Sequence, residues 1–178
     1  MTRTLFLLRH AKSSWDDPTL EDFDRPLAKR GREAAPLMGR EMARRGWLPD
    51  LALVSAALRT RQTWDLVAPE FSREIAVTFD ETIYEAPVER ILAAIRKVPA
   101  EIATLVVVGH NPGFENLAGM LAAPESNHEA MAAMQEKFPT AALARFSCAG
   151  EWAGSGWTGL GPGGGILTDF LTPRGLGR

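Results

Sequence analysis

The sequence predicts an α/β fold, a mostly parallel central sheet with helices on both faces. Three runs, TLFLLRH (4–10), LALVS (51–55) and TLVVVGH (104–110), are almost continuously apolar instead of alternating, as strands are when both of their faces are covered. Segments with apolar residues at helical spacing lie between them. Strand and helix therefore alternate along the chain, the order that a parallel sheet with crossover helices requires.

The first run ends in Arg9 and His10. KRGREAAPLMGREMARRG (29–46) follows as a helix with Ala35, Met38 and Met42 on one face and a stop at Gly46; Pro36 is expected in its first turn, where a missing N–H does least harm. The second run ends at Ser55 and continues as SAALRTRQT, so Ser55 is expected to cap a helix on which Arg59 and Thr63 follow at helical spacing. PVERILAAIRKV (87–98) starts at a proline and places Val88, Ile91, Leu92 and Ile95 on one helical face. After the third run, FENLAGML repeats that pattern with Phe114, Leu117, Ala118 and Leu121. HEAMAAMQEKF (128–138) reads as a further helix, TAALARFSC (140–148) as a strand and GGGILTDFLTP (163–173) as a final strand. The stretch GSGWTGLGPGGG (154–165) lacks the lysine and the following helix of a phosphate loop, so it reads as a flexible connection, with Trp152 and Trp157 beside it.

A chain of 178 residues, 46% hydrophobic and 24% charged, suits one domain over residues 1–178. Its net charge of -2 gives no general attraction to nucleic acid or to an anionic membrane, and neither is expected as a partner. One cysteine, Cys148, rules out an internal disulfide and a thiolate zinc cluster. No apolar run has the length of a signal-peptide core or a membrane span, and a cytoplasmic protein is expected.

In open α/β sheets ligands gather beyond the carboxyl ends of the strands. Arg9 and His10, Ser55, and His110 stand at three such ends, and Arg59 on the following helix leans back toward them. Two arginines and two histidines around one opening repel one another unless an anion sits among them. Guanidinium groups bind phosphate oxygens through paired, charge-assisted hydrogen bonds. They also disfavour a charged imidazole nearby, which keeps a ring nitrogen of His10 free to attack phosphorus.

LLRHAKSSW, SAALRTRQT and VVVGHNPG, in this order, resemble the histidine phosphatase superfamily, which includes the phosphoglycerate mutases. RPLAKRG, PTAALARF and DFLTPR resemble its SixA type, the phosphohistidine phosphatases. The resemblance spans nearly the whole chain and implies a phosphoglycerate mutase-like three-layer sandwich. It implies that His10 is the phosphorylated nucleophile, that Arg9, Arg59 and His110 complete the phosphate pocket, and that Ser13 adds a hydroxyl donor. Mutase-like members place an acid in the stretch matching DETIYEAP, which makes Glu81 the proton-donor candidate and Glu85 its reserve. Ala11 replaces the usual glycine after the first histidine, and Asp16 replaces a common asparagine and is left out of the site. His128 lies outside every motif and is expected to be exposed near a helix start.

The expected activity is a metal-independent phosphatase without a cofactor, acting on a phosphate-bearing substrate, with a phosphohistidine protein the leading choice. An imidazole leaving group needs no dedicated carboxylic acid, whereas an alkoxide does. The alternatives are a small-molecule phosphomonoesterase of the same superfamily using Glu81, a non-catalytic module that binds a phospho-ligand, and a metallohydrolase built on His10 and His110.

Overall fold

Val108, in the third apolar run, pairs with Leu8 of the first on one side and with Val54 of the second on the other. The computed structural model describes residues 1–177. In it the sheet runs β3 (Ala76–Asp80), β2 (Leu51–Ser55), β4 (Thr104–Gly109), β1 (Arg3–Arg9), β5 (Leu143–Cys148), β6 (Ile166–Leu171). β1, β2, β3 and β4 are mutually parallel, whereas β5 runs antiparallel to β1 and β6 antiparallel to β5. The helices are α1 (Lys29–Arg44), α2 (Leu58–Val67), α3 (Val88–Arg96), α4 (Gly113–Leu121) and α5 (His128–Glu136).

The unbroken apolar runs are explained by two cores, one on each face. Leu5, Leu7, Leu53, Leu105 and Val107 meet α3, α4 and α5 through Ile91, Ile95, Phe114, Leu117 and Met134. Their neighbours Phe6, Leu8, Val54, Val106 and Val108 point the other way, onto Ala35, Met38 and Met42 of α1 and Trp64 and Val67 of α2. Side chains alternate across a strand, so a strand apolar at every position needs a cover on both sides. Among the described residues no helix is long and apolar enough to cross a membrane.

Three local expectations are corrected. Pro36 lies well inside α1, not in its first turn; the helix continues past it to Arg44, held by the packing of Ala35, Met38 and Met42. Ser55 does not cap α2, which begins at Leu58 after Ala57 with no side-chain cap. The stretch 154–165 is a packed connection, with Trp157 and Leu160 fully buried and the N–H groups of Gly163 and Gly165 bonded to Met120 and Leu121 at the end of α4. Trp157 donates its indole N–H to the carbonyl of Ile102 at 2.8 Å and belongs to the core.

The start of α1 rests on the segment that follows His10. Ala28 N–H bonds to the carbonyl of Lys12 at 2.8 Å, and a Cβ added to Gly31 would lie 2.2 Å from that same oxygen. Only glycine permits so close an approach.

Candidate active site

β1, β2 and β4 end on the same edge of the sheet, so Arg9, His10, Ser55 and His110 converge there. His10 and His110 face each other with ring centroids 5.3 Å apart. α2 starts beside them and carries Arg59, which is 3% exposed. Four of the residues expected at the site, Arg9, His10, Arg59 and His110, are thus brought together.

The His10 ring is fixed by its own neighbourhood. Nδ1 lies 2.8 Å from the carbonyl of Ala11, and a carbonyl only accepts, so Nδ1 carries the proton and Nε2 keeps its lone pair. Burial pushes the His10 imidazole down to about 3; the hydrogen bond to the Ala11 carbonyl opposes it, and the positive charges of Arg59, Arg9 and Arg25 add to it. Ala11 is itself tied down, its N–H donating to Thr63 Oγ1 at 3.0 Å, while that hydroxyl donates to the Arg59 carbonyl at 2.7 Å.

His110 follows Gly109, where a Cβ would meet the ring of Phe114 at 2.5 Å. Its Nε2 lies 2.7 Å from Ser55 Oγ, which explains why Ser55 stands at the end of β2 without capping a helix. Its Nδ1 is buried and has no hydrogen-bond partner among the described residues, although Glu85 Oε1 lies 3.5 Å away. That carboxylate favours the tautomer with the proton on Nδ1, and Ser55 then donates to Nε2. Burial, His10 and Arg59 hold the ring neutral, down to about 2.

Arg59 is gripped by oxygens. Nη1 donates to the carbonyl of Asp22 at 2.8 Å, and Nη2 donates to Asp22 Oδ2 at 3.0 Å and to Glu85 Oε1 at 2.6 Å. Asp22 also accepts from Arg25 at 3.0 Å and from the hydroxyl of Tyr84. Burial alone would raise the Asp22 carboxyl, but the Tyr84 hydroxyl and the two guanidinium groups outweigh it and bring it to about 2. Tyr84 is pushed up to about 12 by burial and by Asp22, and its ring meets the edge of His110 at a centroid distance of 5.4 Å. Arg9 donates from Nη1 to the carbonyl of Phe138 at 2.9 Å, while its buried Nε has no partner among the described residues.

The outer residues divide. Ser13 is buried, and its Oγ accepts from Arg25 Nη2 at 2.6 Å, which leaves the hydroxyl proton free to donate. Glu85 reaches Arg59, whereas Glu81 sits on an exposed turn, and among the described residues no hydrogen bond or ion pair joins it to Arg9, His10, Arg59 or His110. Asp16 is exposed, and His128 is exposed at the first position of α5. Sequence reasoning missed Asp22, Arg25 and Tyr84. No local pattern marks Asp22, whose bond to Arg59 spans 37 positions.

Among the described residues Arg9 Nε and His110 Nδ1 have no hydrogen-bond partner, and with the buried Arg59 they set N–H donors beside the bare Nε2 of His10, an arrangement chemically suited to a tetrahedral oxyanion. Residues 5–90 match the model of the histidine phosphatase superfamily (branch 1). An uncharacterized protein of Mycobacterium tuberculosis is 36% identical over 174 residues, 94% of this chain and all of that protein. A candidate phosphohistidine phosphatase SixA from Nakamurella multipartitia has 30% identity and a TM-score of 0.80, with 97% of each chain covered. The chain belongs to the histidine phosphatase superfamily. Within the superfamily it is of the SixA type, and a second candidate SixA, from Agrobacterium tumefaciens, is 32% identical with a TM-score of 0.76, covering 96% of this chain and 98% of that one. An uncharacterized chloroplastic protein of Arabidopsis thaliana is 38% identical over 130 residues, and the match spans 60% of that protein. The superfamily's sandwich matches the sheet with its two helical layers described above.

Proposed function

We propose that this chain is a phosphatase that forms a phosphohistidine on Nε2 of His10, with a protein phosphohistidine as its substrate. The observation that carries the reading is the bond from His10 Nδ1–H to the Ala11 carbonyl, which leaves Nε2 unprotonated among arginines. Nε2 attacks phosphorus, the phosphorus–nitrogen bond of the substrate breaks, and the departing imidazole retains the electron pair and takes up a proton. Arg9, Arg59 and Nδ1–H of His110 hold the phosphoryl oxygens, and Ser13 adds a hydroxyl. In phosphorylated His10 the ring is an imidazolium, with Nδ1–H still on the Ala11 carbonyl and the phosphoryl oxygens negative; water then attacks phosphorus, the bond to Nε2 breaks with its electron pair left on the neutral ring, and inorganic phosphate is released.

The departing imidazole, with an ordinary pKa of about 6.5, needs no carboxylic acid beside it. An alkyl phosphate does; among the described residues no hydrogen bond or ion pair joins Glu81 to the four pocket residues, and Glu85, its reserve, is held by Arg59. The SixA names of the structural relatives support the nitrogen-linked substrate. The chain acts as one unit over residues 1–178 without a cofactor, and a reducing cytoplasm suits its single buried thiol, Cys148.

Incubation with a labelled phosphoramidate followed by an alkaline quench tests the reading. Alkali-stable label is expected on His10 and is lost in His10→Ala. Label on another residue, or fast turnover of alkyl phosphates that Glu81→Gln suppresses, would overturn it.

A further inference from the structure

The pocket described above already contains an anion of its own. Nη2 of Arg59 has two hydrogens, and both are taken, one by Asp22 Oδ2 and one by Glu85 Oε1. The same Glu85 oxygen lies 3.5 Å from His110 Nδ1, the buried nitrogen left without a hydrogen-bond partner. A phosphoryl oxygen bridging Arg59 and His110 would need that position. We propose that Glu85 is an internal competitor for the phosphate pocket, one that must swing away before a phosphoryl group is fully gripped and that returns to help expel the product. This rests on the pocket reading given under Proposed function.

The two carboxylates on Arg59 are held very differently. Asp22 is locked by Arg59, Arg25 and Tyr84 together, so it belongs to the permanent frame. Glu85 has one hydrogen-bond donor among the described residues, Arg59, and its side chain is 43% exposed, so solvent can receive it when it leaves. Its backbone is strained as well. Glu85 sits at φ 46, in the left-handed region that glycine enters freely and other residues hold only when their surroundings compel them. A glycine there would relax the backbone and leave the position beside Arg59 empty.

The competitor role makes a prediction opposite to that of a proton donor. Releasing Arg59 from Glu85 strengthens the hold on phosphate, whereas loss of a proton donor slows turnover of an ester and leaves phosphate binding as it was. A charge-assisted hydrogen bond regained by the ligand corresponds to roughly tenfold in affinity.

Inorganic phosphate titrated calorimetrically into the wild type, Glu85→Gln and Glu85→Gly decides between them, with thermal melts confirming that each is folded. Both variants are expected to bind phosphate about tenfold tighter than the wild type, with a matching fall in the constant for product inhibition. Gln keeps the strained backbone and the shape, and Gly removes both, so agreement between them isolates the carboxylate. Failure of either folded variant to bind more tightly overturns the proposal. If neither variant nor the wild type binds phosphate at all, the pocket reading itself fails, and the competitor with it.

Discussion

Asp22 grips Arg59 twice, through its backbone carbonyl at 2.8 Å and its carboxylate at 3.0 Å. Arg59 is 3% exposed and Asp22 is 46% exposed, so the pair anchors a buried cation from the rim. Asp22→Ala is expected to lower kcat/KM by about 10- to 100-fold, the range that loss of a charge-assisted hydrogen bond carries. The loss should fall mainly on KM, because Arg59 then loses its aim. Steady-state kinetics on a phosphoramidate check it.

The two histidines make stability fall on the acid side. Their folded values, about 3 for His10 and about 2 for His110, lie below the ordinary 6.5. Below that ordinary value the unfolded chain binds protons that the folded one refuses, so stability is complete above it and is lost as pH falls toward about 3. Each imidazole contributes at most about 1.4 kcal/mol per pH unit across that window. Asp22 acts lower down, its contribution present above the ordinary carboxylate value and lost as pH falls through about 2. Thermal melts between pH 8 and 4 should show a falling midpoint with a slope reduced in His10→Ala.

Thr63 is the prop beneath the nucleophile. Its hydroxyl accepts the Ala11 N–H at 3.0 Å, and Ala11 in turn supplies the carbonyl that fixes the His10 ring. Thr63→Val keeps the shape and orphans that buried N–H, at an expected cost of about 1–3 kcal/mol. Urea unfolding should report the loss, and kcat should fall with it while KM moves less.

The sheet centre and the four pocket residues were legible because each rests on a local signal. β1, β2 and β4 each hold an almost unbroken apolar run, and a polar residue, Arg9, Ser55 or His110, ends or directly follows it. β3 gave no such signal, since it is an edge strand that leaves Val77 and Phe79 about two-fifths exposed, at 39% and 40%. Pro36 misled because tertiary packing of Met38 and Met42 outweighs a proline's local cost. Ser55 misled because a serine before a helix usually caps it, and nothing nearby in the chain announces His110 as its partner. Asp22 was invisible for a similar reason, since its three side-chain partners come from its own loop, from α2 and from the turn after β3.

Ser55 orients His110 in the same indirect way. Ser55→Ala removes the hydroxyl 2.7 Å from Nε2 and with it the tautomer that directs Nδ1–H into the pocket. An expected loss of roughly tenfold in kcat/KM follows from one hydrogen bond of about 1.5 kcal/mol. Ser55→Thr, which restores the hydroxyl, should recover much of it. NMR of the imidazole nitrogens would show whether the tautomer changes.

β1 carries an arginine at each end, and the two differ entirely. Arg3, 1% exposed, donates to the neutral carbonyls of Ala153 at 2.6 Å, Ala100 at 2.8 Å and Ile102 at 2.7 Å, and rests on Trp157. It fastens two connections, the one between α3 and β4 and the one after β5, at the end of the strand roughly 20 Å from Arg9. Heat tolerance can therefore be engineered by reinforcing that distant rivet and the loops it joins, at no expense to the chemistry performed at the opposite end.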